Sequence, residues 1–154
     1  MIKFLKQLFT VVDTKEDAIQ LQEEFLRALE KAYTTYSTLP IRKYLHKTIH
    51  YHSFYVMEEL HSKKAYLSYL EKKLTAMLVA GKEYRFAMME YVGGYPYLMI
   101  TNAKDEQKGY FGFYVKNDEW GKITEIGMMP AAMMRGVHYK SEEDKRKVEQ
   151  EKFV

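Results

Sequence analysis

Two hydrophobic patterns divide the chain near its middle. Up to about residue 80, apolar residues recur every three to four positions, which is the spacing of helices with one buried face. From Glu83 onward they form short runs rich in β-branched and aromatic residues, which is typical of strands. The sequence therefore predicts a helical first half and a β-sheet in the second half.

The first half contains clear helix boundaries. Asp13 or Thr14 can cap a helix that reaches about Tyr36, and its apolar stripe includes Ile19, Phe25, Leu26, Leu29, Ala32 and Tyr33. A second, short helix is predicted for "PIRKYLH", residues 40–46, because proline suits a first helical turn. "KTIHYHSFYV", residues 47–56, is predicted as one strand.

A third helix is predicted after that strand. Ser62 fits its N-cap and Gly81 lies just beyond its end. Its apolar stripe is formed by Ala65, Tyr66, Tyr69, Leu70, Leu74, Met77 and Leu78.

The second half predicts an antiparallel meander. The segments "EYRFAMMEYV", "YPYLMITN", "GYFGFYVK" and "KITEIGMM" are separated by short segments of turn chemistry. Helices packed on one side of a strongly bent antiparallel sheet, an α+β fold, are expected from this order. We expect an N-terminal extension at 1–14, one domain at 15–130 and a charged tail at 131–154, which ends as a helix or a disordered arm.

The N-terminal extension has apolar residues at helical spacing, with lysines between them. It predicts a short helix that docks on its own domain or on a dimer mate, with a membrane-surface anchor as the alternative. A secretory signal is not expected, because an unbroken apolar region followed by a small-residue cleavage site is missing.

Composition narrows the function classes. The net charge is +3, and we expect no nucleic-acid binding because basic residues alternate with glutamates instead of forming a patch. We expect no membrane span, since no apolar run approaches the roughly 20 residues that one requires. The chain has no cysteine, which excludes disulfides and thiolate metal sites and fits a cytoplasmic location.

Two segments resemble a known superfamily. "YHSFYVMEELHSKKAYLSYLEKKL" is similar to the strand-then-helix element of the nuclear transport factor 2-like superfamily, which also contains SnoaL-like cyclases and ketosteroid isomerases. "DEWGKITEIGMMP" is similar to that superfamily's last hairpin. The resemblance covers roughly residues 16–130 and implies a cone-shaped fold with a cavity between the concave sheet and the helices.

The resemblance implies no single activity, because the superfamily includes enzymes, ligand binders, immunity proteins and dimerisation modules. Its enzymes commonly use a pocket aspartate, often with histidine or tyrosine. No aspartate of this chain falls on a predicted sheet strand; they are Asp13, Asp17, Asp105, Asp118 and Asp144.

A tyrosine-lined ligand site is predicted for the cavity. The chain has 14 tyrosines, whose apolar rings and polar hydroxyls suit half-wet pockets. Arg85 lies in mid-strand, where it meets a carboxylate ligand or pairs with Glu83 or a neighbouring strand. The predicted ligand-binding residues are Tyr51, Ser53, Tyr66, Tyr69, Arg85 and Tyr97.

The "HYH" motif is a candidate metal site. His50 and His52 point to one strand face and can share a metal ion or a proton. A third ligand is not fixed by spacing, although His46, Glu58 and Glu59 lie nearby. We therefore expect no metal and no cofactor, and interpret the motif as two half-exposed histidines on an edge strand.

A homodimer is expected from the strands between residues 97 and 115. Both of their faces are apolar or aromatic, and the chain has little helix left to cover the second face. A partner sheet supplies that cover in the simplest arrangement. The Met128–Met129 end with "AAMM" then belongs to the interface or the cavity rim, with an ordinary core position as the alternative.

These observations predict a non-catalytic domain that binds an apolar small molecule or serves in interactions. One alternative is an isomerase, dehydratase or cyclase that uses a cavity histidine or tyrosine as its acid-base group. Another is an immunity-type or other protein-interaction module. A buried carboxylate or histidine beside a tyrosine hydroxyl in the cavity favours the enzyme, whereas a cavity filled by the chain's own side chains favours the module.

Overall fold

The computed structural model describes residues 11–54, 56–102 and 111–149. The predicted N-terminal helix lies almost entirely outside them. In chain order the elements are helix α1 (Lys15–Thr35), a 3₁₀ helix (Leu39–Tyr44), strands β1 (Leu45–Ser53) and β2 (Val56–Leu60), helix α2 (Lys63–Ala80), strands β3 (Tyr84–Tyr91), β4 (Tyr95–Asn102), β5 (Phe111–Asn117) and β6 (Ile123–Pro130), a 3₁₀ turn (Ala131–Met133), strand β7 (His138–Tyr139) and helix α3 (Glu142–Glu149).

The seven strands form one curled sheet in the order β2-β1-β6-β5-β4-β3-β7. Neighbouring strands are antiparallel except β1 and β6, which run parallel. Helices α1 and α2 pack on the concave face. The predicted α+β fold is confirmed.

The predicted caps of the long helices are confirmed. The Thr14 hydroxyl accepts a hydrogen bond from the amide of Asp17 at 3.0 Å. The Ser62 hydroxyl accepts a hydrogen bond from the amide of Ala65 at 3.1 Å at the start of α2. Gly81 ends α2 in the left-handed conformation, with φ of 63°. These contacts satisfy helix-terminal groups that otherwise lack partners. No helix in the described part of the chain combines the length and hydrophobicity that crossing a membrane demands.

The prediction of a single strand at residues 47–56 is wrong. The chain turns back after Ser53 and forms the hairpin β1–β2, in which His52 pairs with Glu59 and Tyr51 with Leu60. The turn contains Phe54 and no glycine, proline or asparagine, so the usual turn signal is missing. The hairpin brings residues after the turn back beside the "HYH" motif.

The concave face of the sheet carries the main core, where α1 and α2 cover it. Its side chains are at most 7% exposed, so this interior is filled by the chain's own residues in the described part. Members from the sheet include Ile49, Phe86, Met88, Leu98, Phe113, Ile126 and Met128.

The convex face is covered in part by the C-terminal segment. Residues Ala131, Met134, Val137 and Tyr139 pack on a second buried cluster formed by Ala87, Met89, Tyr97 and Met99. The expectation that a partner sheet is needed, because little helix is left to cover this face, overlooked the C-terminal segment, which covers part of it. Met128 is an ordinary core residue, whereas Met129 is half-buried on the other face.

Candidate functional site

Three of the predicted ligand-binding tyrosines lie together in the concave interior. The Tyr51 ring centroid is 5.1 Å from that of Tyr66 and 5.3 Å from that of Tyr69. Ser53 is next to them on β1, and its hydroxyl donates to Sδ of Met128 at 3.4 Å. This tyrosine cluster is the part of the predicted site that the fold assembles.

Burial controls the chemistry of the tyrosine cluster. Burial raises the pKa of Tyr51 and Tyr66, and also that of Tyr33 on α1, which lies near them. Repulsion between neighbouring phenolates raises each pKa further. Their hydroxyls therefore stay protonated near neutral pH. They can donate hydrogen bonds but do not supply a tyrosinate base there.

A partly buried lysine borders the same cluster. Nζ of Lys73 lies 5.8 Å from the ring centroid of Tyr33 and 5.9 Å from that of Tyr69. Burial lowers the pKa of Lys73 to about 8, because its charged form loses hydration. The sequence already indicates that this lysine faces inward, because Lys73 lies on the apolar stripe of α2 between Leu70 and Met77.

The other two predicted residues lie on the convex face. Arg85 shares its face of β3 with Ala87 and Met89, and it lines a recess of about 270 Å³ that Tyr33 also borders. Tyr97 is fully buried, and its hydroxyl donates to the carbonyl oxygen of Met129 at 2.6 Å. Neither residue joins the tyrosine cluster inside the cone.

A larger cleft of about 620 Å³ opens at the N-terminal end of α1. It lies between the tips of the β3–β4 and β5–β6 hairpins. Apolar and aromatic residues line one part of it, namely Val12, Ala18, Tyr91, Val92, Tyr95 and Val115. Polar and charged residues line the rest, namely Asp13, Thr14, Gln22, Lys116, Asn117, Asp118 and Glu119.

Gln22 is the unusual group of this cleft. Its side-chain Nε2 donates to Oδ1 of Asn117 at 2.9 Å, while Asn117 donates from Nδ2 to the carbonyl oxygen of Asp118 at 2.8 Å. Gln22 is only 5% exposed, yet its Oε1 accepts no hydrogen bond from the described residues. A buried acceptor without a partner costs about 1–3 kcal/mol.

Two aromatic rings form an apolar wall of the cleft. The ring centroids of Tyr91 and Tyr95 are 6.0 Å apart, and Nζ of Lys15 lies 5.4 Å from the Tyr95 centroid. Burial raises the pKa of Tyr91, so its hydroxyl stays protonated near neutral pH. Apolar walls with a few fixed polar groups are the usual character of small-molecule sites.

Sequence reasoning missed this cleft. Gln22 stands three positions from both Ile19 and Phe25, so a polar residue inside the buried stripe of α1 was a readable signal. The tyrosines of the β3–β4 turn carried no comparable signal, because tyrosine is common in strands.

Comparisons with known proteins identify the fold. No family model and no curated protein matches the sequence. The chain is similar to a SnoaL-like protein of unknown function from Burkholderia thailandensis, with 11% identity, a TM-score of 0.55, and coverage of 74% of this chain and 98% of that chain. It is also similar to an NTF2-like protein of unknown function from Cytophaga hutchinsonii, with 13% identity, a TM-score of 0.50 and coverage of 71% and 88%. A domain of unknown function with a cystatin-like fold from Nostoc punctiforme gives 14% identity, a TM-score of 0.53 and coverage of 77% and 79%.

Proposed function

We propose that this chain, which has the cone-shaped nuclear transport factor 2-like fold, binds a small molecule with an aromatic or apolar part in the cleft at the N-terminal end of α1. The carrying observation is the buried Oε1 of Gln22, which accepts no hydrogen bond from the described residues. The ligand carries a hydrogen-bond donor, such as an N–H or O–H group, that satisfies this atom.

The dimensions and the polarity of the cleft support binding of a molecule of modest size. Its volume of about 620 Å³ falls within the roughly 300–1,000 Å³ of typical ligand pockets. Asn117 holds the Gln22 carboxamide from one side. Oε1 is buried, so a ligand donor reaches it after a local shift of the side chains that cover it, and the hydrogen bond gained offsets the cost of that shift.

Binding is better supported than catalysis. The interior tyrosines keep their protons near neutral pH, and the histidines of the "HYH" motif lie on the convex face, away from the interior. A tyrosine of the interior is therefore unsuited to act as the base near neutral pH, and the "HYH" histidines are not placed to act beside it.

An interaction module is the second candidate function. The filled concave interior favours it, because the chain's own side chains occupy the space where the superfamily resemblance implied a cavity. This candidate and the proposed ligand site make different predictions for the Gln22 cleft.

The experiment is a titration of ¹⁵N-labelled protein with paired fragments, indole and 1-methylindole. The side-chain NH₂ signals of Gln22 and Asn117 report on the cleft directly. Indole is expected to shift both signals and to bind at least about tenfold more tightly, because methylation removes the donor, a difference of about 1.4 kcal/mol.

Ala18→Trp fills the cleft and should abolish these shifts. Ala76→Trp, on the exposed surface of α2, is the matched control and should leave them intact. Unchanged Gln22 and Asn117 signals with both fragments, or equal affinity for the two, would reject the proposed site in favour of the interaction module.

A further inference from the structure

We propose that the convex face carries a binding site for a divalent transition-metal ion, with His50, Glu59 and His61 as ligands. This site is separate from the Gln22 cleft. It also differs from the sequence expectation that the "HYH" motif lacks a third ligand.

The β1–β2 hairpin assembles the three residues. His50 lies on β1, Glu59 returns on β2, and His61 follows the end of β2 just before α2. Because the hairpin pairs Tyr51 with Leu60, the same register sets His61 opposite His50. Their imidazole rings stack in parallel, with centroids 4.8 Å apart and planes at 4°.

The donor atoms already lie near metal-binding distances. Oε2 of Glu59 is 3.1 Å from Nε2 of His50 and 3.6 Å from Nε2 of His61. One ligand atom from each residue lies within 4.8 Å of the others. Ligands bound at about 2.0–2.1 Å in tetrahedral geometry stand roughly 3.4 Å apart. The parallel imidazoles must rotate so that both Nε2 lone pairs point at one ion, and this rotation completes the site.

A second carboxylate lies beside the histidines, at ion-pair distance and beyond direct hydrogen-bond distance. Glu125 on β6 has Oε1 3.9 Å from Nδ1 of His50 and Oε2 3.7 Å from Nε2 of His52. His50 presents Nε2 to Glu59 at 3.1 Å, and a small approach of Glu125 would let its carboxylate accept from Nδ1 of His50. A carboxylate behind a histidine ligand is a recurring feature of protein metal sites and raises ligand basicity. In the proposed site Glu125 acts as a positioning residue.

The donor set selects the class of ion. Two imidazoles and one carboxylate suit Zn²⁺ and related divalent transition metals better than Ca²⁺ or Mg²⁺, which prefer oxygen ligands. The side chains of Glu59 and His61 are 55% and 70% exposed, so the ion enters from solvent and keeps an open position for water.

The alternative is a set of ion pairs without a metal, in which Glu59 and Glu125 neutralise protonated histidines. The two readings differ in their response to the ion. A bound ion connects β1, β2 and the start of α2, and stabilises the native state because it binds the folded hairpin but not the unfolded chain.

The test is calorimetric titration of tag-free protein with Zn²⁺ at pH 7.5, together with thermal unfolding. We expect one equivalent to bind with micromolar or tighter affinity and to raise the melting temperature. His50→Ala, Glu59→Gln and His61→Ala should each weaken binding by about 100-fold, more than loss of an outer-shell partner. The matched control is His138→Ala on β7, an exposed histidine paired with Glu90 at 3.3 Å, which should bind like the wild type.

Glu125→Gln is expected to weaken Zn²⁺ binding about tenfold while Co²⁺ keeps the same visible spectrum, because the three ligands remain. Each variant is checked for an unchanged melting temperature without metal. The proposal is overturned if the wild type does not saturate at one equivalent, or if His138→Ala loses as much affinity as His61→Ala.

Discussion

The ring of Tyr114 lies across Gly127, and its hydroxyl is 3.0 Å from Nε2 of His52. A Cβ atom built on Gly127 would be 2.3 Å from atoms of that ring, far inside van der Waals contact. The glycine on β6 therefore allows a tyrosine on β5 to lie flat over the sheet and reach the histidine on β1.

Gly127→Ala should destabilise the fold by about 1–3 kcal/mol, because the ring of Tyr114 must leave its position to admit a methyl group. Urea unfolding measures the loss. The control is the same substitution in a Tyr114→Ala background, where the steric conflict no longer exists and the effect should be small. Equal losses in the two backgrounds would contradict the proposed contact.

Lys73→Met should change how stability depends on pH. Burial lowers the pKa of Lys73 to about 8 from 10.5, so between these values the unfolded chain binds more protons than the folded chain. Wild-type stability therefore gains a contribution that rises with pH over this window, and the methionine variant lacks it. The advantage of the variant should be largest below pH 8 and shrink toward pH 10.

Urea midpoints at pH 7, 8, 9 and 10 test this dependence. The range stops at pH 10, where unfolded tyrosines are about half ionised, and the comparison with the wild type at each pH cancels their contribution. Lys72→Met, a substitution at the exposed neighbouring position, is the control and should run parallel to the wild type. If the stability of Lys73→Met also runs parallel to that of the wild type across this pH range, burial does not lower the pKa of Lys73.

Asp144→Ala should loosen the C-terminal cover of the convex face. The carboxylate of Asp144 is buried, and it accepts hydrogen bonds from the amide of Met88 at 3.0 Å and the hydroxyl of Ser141 at 2.7 Å. Losing it leaves the Met88 amide without that acceptor, for a loss of about 2 kcal/mol. Hydrogen exchange at the Met88 amide should accelerate, whereas Glu143→Ala at an exposed position should leave it unchanged.

The homodimer stays a prediction, now restricted to the convex surface that the C-terminal segment leaves uncovered. Phe113 is a concave core residue, so Phe113→Glu is expected to unfold the chain. Tyr114→Glu, on the convex face, is the informative variant and should give a folded monomer. Sedimentation measures both, and a wild type that sediments as a monomer at micromolar concentration would end this prediction.

Local signals were sufficient for the two long helices and the four-strand meander. The short helix predicted at residues 40–46 is a 3₁₀ helix at Leu39–Tyr44, and β1 already begins at Leu45. Thr14, Ser62 and Gly81 mark helix ends by chemistry that acts within a few residues, and strand alternation separated Phe113 from Tyr114 correctly. These features depend on nearby residues and are therefore readable from the sequence.

The β1–β2 hairpin could not be predicted from local signals, because the residues around its turn at Phe54 are ones that are common in strands. Missing that turn hid the metal-ligand set, since Glu59 and His61 approach His50 only when the chain reverses. The Gln22 cleft was hidden for a different reason. It depends on two hairpin tips meeting the start of a helix, which is a tertiary arrangement that no local pattern contains.

The parallel pairing of β1 with β6 has a consequence for synthesis on the ribosome. Ser53 and Met128 are neighbours in the sheet but 75 positions apart in the chain. One edge of β1 therefore has no native partner until residues 123–130 have been made and released from the exit tunnel. Until then the hairpin presents unpaired backbone groups that strands of other nascent chains can bind. The interval between the synthesis of β1 and the release of β6 is therefore a period in which the chain is exposed to aggregation.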